Sequence, residues 1–217
     1  MNSTIKLIVF AFLLVLPCTT YSQTNQFETR YSMQLEKKVL NNLAISIEPE
    51  LRLDNSFKPS SYLLQAGLGY KIAPWMKLGA FYRFDAEQNE NSSFSYMNRF
   101  AFDMSFMHKI SRFTPKARVR FSNFTDFDSS TDDKSNYMRY KFGTSYNIKG
   151  SKLNPFLSVE LYQKMENGLI NKARYSFGTE YTLNKRNSIE LKYSYDYRFK
   201  NLNNTHILEL KYSLNFK

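Results

Sequence analysis

The chain has 217 residues, enough for one domain and too few for two ordinary ones. Thirty Lys and Arg outnumber nineteen Asp and Glu, giving a net charge of +11, and Cys18 is the only cysteine. A disulfide framework is therefore excluded, and a basic balance of this size raises nucleic acid or an acidic membrane surface as partners.

Lys6 precedes an almost wholly apolar run from Leu7 to Leu16, and Thr20 and Ser22 place small residues at the third-last and last positions before Gln23. A charged, an apolar and a small-residue region in that order describe a cleavable secretory signal over 1–22. The apolar run is too short to span a bilayer as a helix. Pro17 stands where a lipoprotein site at Cys18 would need a small residue. Cleavage after Ser22 removes Cys18 and with it cysteine catalysis. It leaves one domain, 23–217, with a charge of +10, the total of +11 less Lys6. No later window holds the roughly 18 apolar residues of a transmembrane helix. A mean hydropathy of −0.50 decides nothing, because a membrane barrel has a polar interior and scores alike.

From there the dominant signal is a period of two. Eleven alternating segments follow, near 27–39, 43–53, 62–71, 76–84, 94–108, 113–124, 136–147, 155–164, 172–183, 188–199 and 205–216. Most reach the roughly nine residues that a tilted strand needs to cross a bilayer. Tight connections at 40–42, 72–75, 109–112, 148–154 and 184–187 alternate with more polar ones at 54–61, 85–93, 125–135, 165–171 and 200–204. That alternation predicts an all-β, up-and-down antiparallel transmembrane β-barrel of about 10–12 strands, with turns at one rim and loops at the other. The loop rim carries acids such as Asp85, Glu87, Glu90, Asp126 and Glu166, and the turn rim carries bases such as Lys109, Arg112, Lys149 and Lys185. Eleven is an odd count, whereas bacterial single-chain barrels have even ones. Either one hairpin is cut wrongly or the N-terminus threads the lumen.

The stretch from Ala66 to Ile72 is repeated from Phe142 to Ile148 and from Phe177 to Leu183, each copy ending a strand before a tight turn. Its tyrosines, Tyr70, Tyr146 and Tyr181, fall on the apolar face at one height, as an interfacial aromatic girdle requires. The apolar face is bulky on every segment. Gly67, Gly69, Gly79, Gly143 and Gly178 gather on the polar face, with many serines. A crowded lumen favours small residues, and lipid tolerates bulk, so the apolar face is assigned outward. Leu63, Phe81, Met97, Phe124, Phe156 and Tyr162 are apolar exceptions on the lumen side, and Pro49 marks an expected bulge.

The signal segment, the strand Ile45 to Leu53, the repeat Ala66 to Ile72 and the strand Leu78 to Phe84 resemble the domain-of-unknown-function 2490 family. The resemblance spans essentially the whole mature chain and implies an outer-membrane barrel without an assigned activity. It supplies no functional residues.

The assigned lumen has two walls. Lys71, Lys77, Arg83, Arg99, Lys116, Arg118, Arg120, Arg139 and Lys141 make a basic wall, with Asp103 alone against them. Glu48, Glu50, Glu160, Glu180, Glu190, Asp196 and Glu209 make a mixed, more acidic wall with Arg30, Arg52, Arg174, Lys192 and others. Two readings stay open. Either the opposed walls set a transverse field that selects small charged solutes, or the charges pair across a narrow lumen and plug it. Filling by side chains is the plainer account for a small barrel.

An enzyme of the lipid-hydrolase type needs a base beside a nucleophile. His108 and His206 sit at strand ends on the apolar face without such partners, so no catalytic residue is assigned. The acidic loop Thr125 to Lys134 lacks the Gly turn and closing Glu of a calcium loop, so no metal or cofactor is assigned. Arg and Lys pointing inward disfavour nucleic acid. A soluble secreted lipid-binding barrel is the remaining alternative. The expected location is the Gram-negative outer membrane, and the expected partners are outer-membrane lipid, the barrel-assembly machinery and small charged solutes.

Overall fold

The computed structural model describes residues 26–89, 93–126, 136–199 and 204–216. The signal segment, most of the acidic loop after Asp126, Glu90 and Lys217 lie outside the described residues. Eleven strands form one closed barrel in sequence order: β1 (Gln26–Lys38), β2 (Leu43–Leu53), β3 (Pro59–Ala73), β4 (Met76–Gln88), β5 (Phe94–Met107), β6 (Phe113–Asp126), β7 (Asn136–Tyr146), β8 (Leu153–Lys164), β9 (Ile170–Thr182), β10 (Asn187–Arg198) and β11 (Thr205–Phe216). No helix occurs among the described residues.

Neighbours along the chain pair antiparallel, and β1 closes on β11 in parallel through twelve residue pairs, Gln26 with Thr205 to Lys37 with Phe216. The odd count is real, and no hairpin was cut wrongly. In an up-and-down meander an odd number of strands leaves the first and last pointing the same way, so closure has to be parallel. The expectation of a wholly antiparallel barrel is corrected at this one seam. A parallel ladder is slightly less stable per residue than an antiparallel one, but it leaves no open edge.

The pairing staggers as it circles. Gln26 at the loop rim pairs with Thr205, and the row runs on through Asp196, Arg174, Glu160, Lys141, Arg118, Ser105 and Lys77 to Lys71 at the turn rim. Closure of a tilted sheet requires such a shear.

The turns explain themselves locally. Asp54 Oδ1 accepts the Ser56 and Lys58 amides at 2.8 and 3.0 Å, which folds the β2–β3 loop. Gly150 and Gly168 have φ of +75° and +67°, a region open to glycine at no steric cost. Glu166, on the β8–β9 loop, accepts the Asn136 amide at 2.9 Å, and this bond holds its carboxyl below the usual range. Two strand limits differ from the expectation. β4 runs on to Gln88, so Asp85 and Glu87 belong to a strand and not to a loop. Pro49 causes no bulge: the β1–β2 ladder omits it and resumes in the same register, and the shift lies between Arg52 and Leu53 on the β3 side.

The interior glycines make room for bulkier neighbours. Phe81 faces the lumen directly opposite Gly67, where a Cβ would come within 2.7 Å of the phenyl ring, and Gly79 leaves the same ring room on its other side. Phe156 likewise lies opposite Gly178, at 2.7 Å from where that Cβ would be. Glycine thus makes the space that two lumen phenylalanines fill. At Gly178 the Cβ would also meet the Leu191 carbonyl oxygen, which is backbone and cannot swing away. Gly178→Val is expected to lower unfolding stability by about 1–3 kcal/mol. Chemical unfolding of the folded barrel measures this, and an unchanged midpoint would contradict the packing described.

Candidate lumen site

Alternation along every strand sends the charged residues inward, where they surround one cavity of about 1210 Å³. Its lining includes Arg83, Arg99, Arg118, Arg120, Arg139 and Lys141 from the assigned basic wall. From the acidic wall it includes Glu48, Glu50, Glu160, Glu180, Glu190, Asp196 and Glu209. Lys71, Lys77 and Lys116 do not line it. Register puts them at the ends of their strands, and Lys77 lies 3.8 Å from Glu36. Among the described residues, fourteen Lys and Arg and eight Asp and Glu face this space, so it carries an excess of positive charge.

Ion pairs follow the wall. Asp196 takes Arg174 Nε at 2.5 Å and Lys172 Nζ at 3.0 Å. Glu160 Oε1 takes Arg118 and Arg139 at 2.8 and 2.9 Å, and Asp103 takes Arg120 at 2.5 Å and Arg118 at 3.8 Å. Lys192 reaches Glu209 at 2.8 Å, Lys211 reaches Glu48 at 2.9 Å, and Arg52 reaches Glu50 at 2.7 Å. Nearly all these pairs join residues on the same strand, adjacent strands or next-but-one strands. Register produces them: Asp196, Arg174, Glu160 and Lys141 are successive partners in one row, with alternating sign. Opposite charges directly across a strand pair are each worth roughly 0.2–1 kcal/mol.

Sequence reasoning missed two features here. Tyr162 was an apolar exception, yet three cations cover its ring: Lys172 Nζ at 3.9 Å, Arg139 at 4.5 Å and Arg174 at 5.7 Å from the centroid. Its hydroxyl accepts from Arg139 at 3.0 Å. An aromatic face attracts cations, so the tyrosine fixes their positions without neutralising them. Asp85 was assigned to the loop rim. It is buried inside the barrel, 3.6 Å from Arg99. For Asp85 the signal lies in the alternation, once β4 is extended through Gln88; the alternation carries no sign of the cations over Tyr162.

On the outer face Tyr70, Tyr146 and Tyr181 all lie by the turn rim, opposite Leu43, Phe113 and Leu153. Trp75 stacks on Phe106 at 6.1 Å and Phe113 packs on Tyr146 at 4.8 Å at the same rim. A second set of aromatic pairs, Tyr62–Phe94 and Phe84–Tyr96, belongs to the loop rim. His206 Nδ1 is 2.6 Å from the Tyr193 hydroxyl, and its ring packs on Tyr195 at 5.0 Å. His108 lies in the exposed β5–β6 connection. Among the described residues no group of three or more His, Cys, Asp and Glu is placed to hold a metal ion.

Fold and interior together define the class: a closed, eleven-stranded β-barrel with an ionic interior and an apolar exterior. Residues 27–206 match the family described as Protein of unknown function (DUF2490), and the chain belongs to it. No curated protein matches the sequence.

Glu160→Gln would leave Arg118 and Arg139 without their shared carboxylate inside the barrel. A loss of roughly 1–3 kcal/mol is expected, below the value for a dry core because the cavity has room for water. The urea midpoint of the folded protein reads it, and a variant as stable as the parent would show that these pairs do not hold the wall.

Proposed function

We propose that the chain is exported and spans the outer membrane of a Gram-negative cell, where its lumen serves as a narrow, charge-lined passage for small charged solutes. The observation that carries this reading is the outward apolar band. Leu157, Phe177 and Phe102 are 62%, 61% and 59% exposed at mid-strand positions, and Leu68, Phe142 and Leu191 continue the band. An apolar belt round a whole molecule far exceeds the few hundred Å² that a soluble monomer leaves in water.

Aromatic residues rim that band on both sides. Tyr62 and Tyr70 on β3 are eight residues apart. With a rise of about 3.4 Å per residue and a tilt of ~40°, that separates their heights by roughly 20 Å. The apolar band of an outer-membrane barrel is about 25 Å tall. The signal-like segment at 1–22 supports export in the same sense.

A passage fits the interior better than a plug. A plug needs pairs that reach across the lumen, whereas the pairs above run along the wall and leave the cavity between them. The ionic lining also argues against a soluble carrier of lipid, since an acyl chain gains nothing from such walls. The enzyme alternative has no support in the partner of His206, which is a tyrosine and not a serine.

Leu157→Arg places a charge in the middle of the outer band, where lipid penalises it by about 2–4 kcal/mol. The parent is expected in the detergent-extracted membrane fraction with heat-modifiable gel mobility, and the variant is expected to lose the folded band. Recovery of the parent in the soluble fraction, or unchanged folding of the variant, would overturn the membrane reading. Planar-bilayer recording of the parent tests the passage, which predicts steady unitary current; its absence would favour the plug.

A further inference from the structure

The wall formed by β4–β7 holds like charges directly opposite one another. Arg83 pairs with Arg99 across β4–β5, and Arg120 with Arg139 and Arg118 with Lys141 across β6–β7. Side chains at such positions start about 5 Å apart, and facing like charges destabilise a sheet. The carboxylates nearby are too few to neutralise them. Asp103 is shared by Arg118 and Arg120, Glu160 by Arg118 and Arg139, and Asp85 serves Arg99. Four of the six cations thus share three carboxylates.

Two members lack any carboxylate within ion-pair distance among the described residues. Arg83 donates its Nε–H to the neutral Gln65 Oε1 at 3.1 Å, and Glu50 and Asp85 attract its guanidinium only from beyond ion-pair distance. Lys141 stands between Arg118 on one side and Glu160, already bonded to two arginines, on the other. Both face the cavity, which leaves room for a further anion. β8–β11 also hold facing like charges, Glu180 with Glu190 and Lys172 with Arg198, but their acids and bases lining the cavity nearly balance, so the positive excess is greatest on the β4–β7 wall.

We propose that the β4–β7 wall is a binding site for small oxyanions, carboxylates or phosphates, which the passage passes in preference to cations. Guanidinium groups offer paired N–H donors matched to the two oxygens of a carboxylate or phosphate, and the clustered cations supply the charge that the wall's own acids do not. The transport half of the statement rests on the passage reading above. The binding half does not.

Two measurements separate them. The first is calorimetric titration of the full chain, purified in detergent, with sodium succinate and, separately, with inorganic phosphate at constant ionic strength. Saturable binding of at least one probe is expected, and the better probe tells carboxylate from phosphate ligands. Arg83→Gln and Lys141→Gln, each first checked for heat-modifiable mobility, are expected to weaken binding about tenfold while leaving the melting temperature without probe unchanged or higher. Saturation by neither probe, or equal binding by both variants, would overturn the site; so would a wall whose variants only lose stability. The second is the reversal potential in a salt gradient. Anion preference that falls in the variants supports the transport half, and cation preference overturns it. Binding without current keeps the site and removes the passage. Current without binding does the reverse.

Discussion

In an extended chain successive side chains point to opposite faces, and everything in this barrel follows from closing eleven such strands on themselves. Once the sheet is closed, the two faces become an inside and an outside. Backbone amides and carbonyls along the wall then find partners in neighbouring strands, so no open edge remains to attract other chains. The side chains are sorted at the same stroke. Ionic groups crowd the interior, where register makes Asp196, Arg174, Glu160 and Lys141 successive neighbours. Leu, Phe and Tyr cover the exterior.

Two details show the limits set by that closure. An odd number of strands forces β1 and β11 into parallel pairing, and the twelve-residue seam has as full a ladder as the hairpins around it. The narrow interior then forces compensation between neighbours. Phe81 and Phe156 fit inside because Gly67 and Gly178 stand opposite them, and the serine row of Ser158, Ser176 and Ser194 keeps the next layer thin. Bulk inside the wall is possible where a neighbour gives up its side chain.

Most of the strands were legible in the residues because period two is a strong signal over nine or more positions. Boundaries for β2 and β11 agree to the residue, and the sorting of Arg118 or Glu160 to the interior needs only counting by twos. Three things were not legible. The parallel seam depends on which strands close the barrel, which no local pattern states. Asp85 read as a loop acid because acids and Asn cluster after Phe84, although the alternation continues beneath them. The use of Tyr162 as a platform for three cations depends on distances between β7, β8 and β9, and periodicity carries no distances. For the same reason Lys71, Lys77 and Lys116 share the inner face with the cavity residues while their strand-end positions keep them from lining the cavity.

Whether the apolar exterior meets lipid is the central question, and depth-dependent quenching answers it. The sequence holds one tryptophan, Trp75, at the turn rim, and Phe177 sits in the middle of the outer band. In vesicles containing lipids brominated at shallow or deep acyl positions, Trp75 is expected to be quenched most by shallow bromine. In a Trp75→Phe background, tryptophan at position 177 is expected to be quenched most by deep bromine. Equal quenching at both depths, or protein emission that ignores the brominated lipids and responds to a soluble quencher alone, would contradict the account.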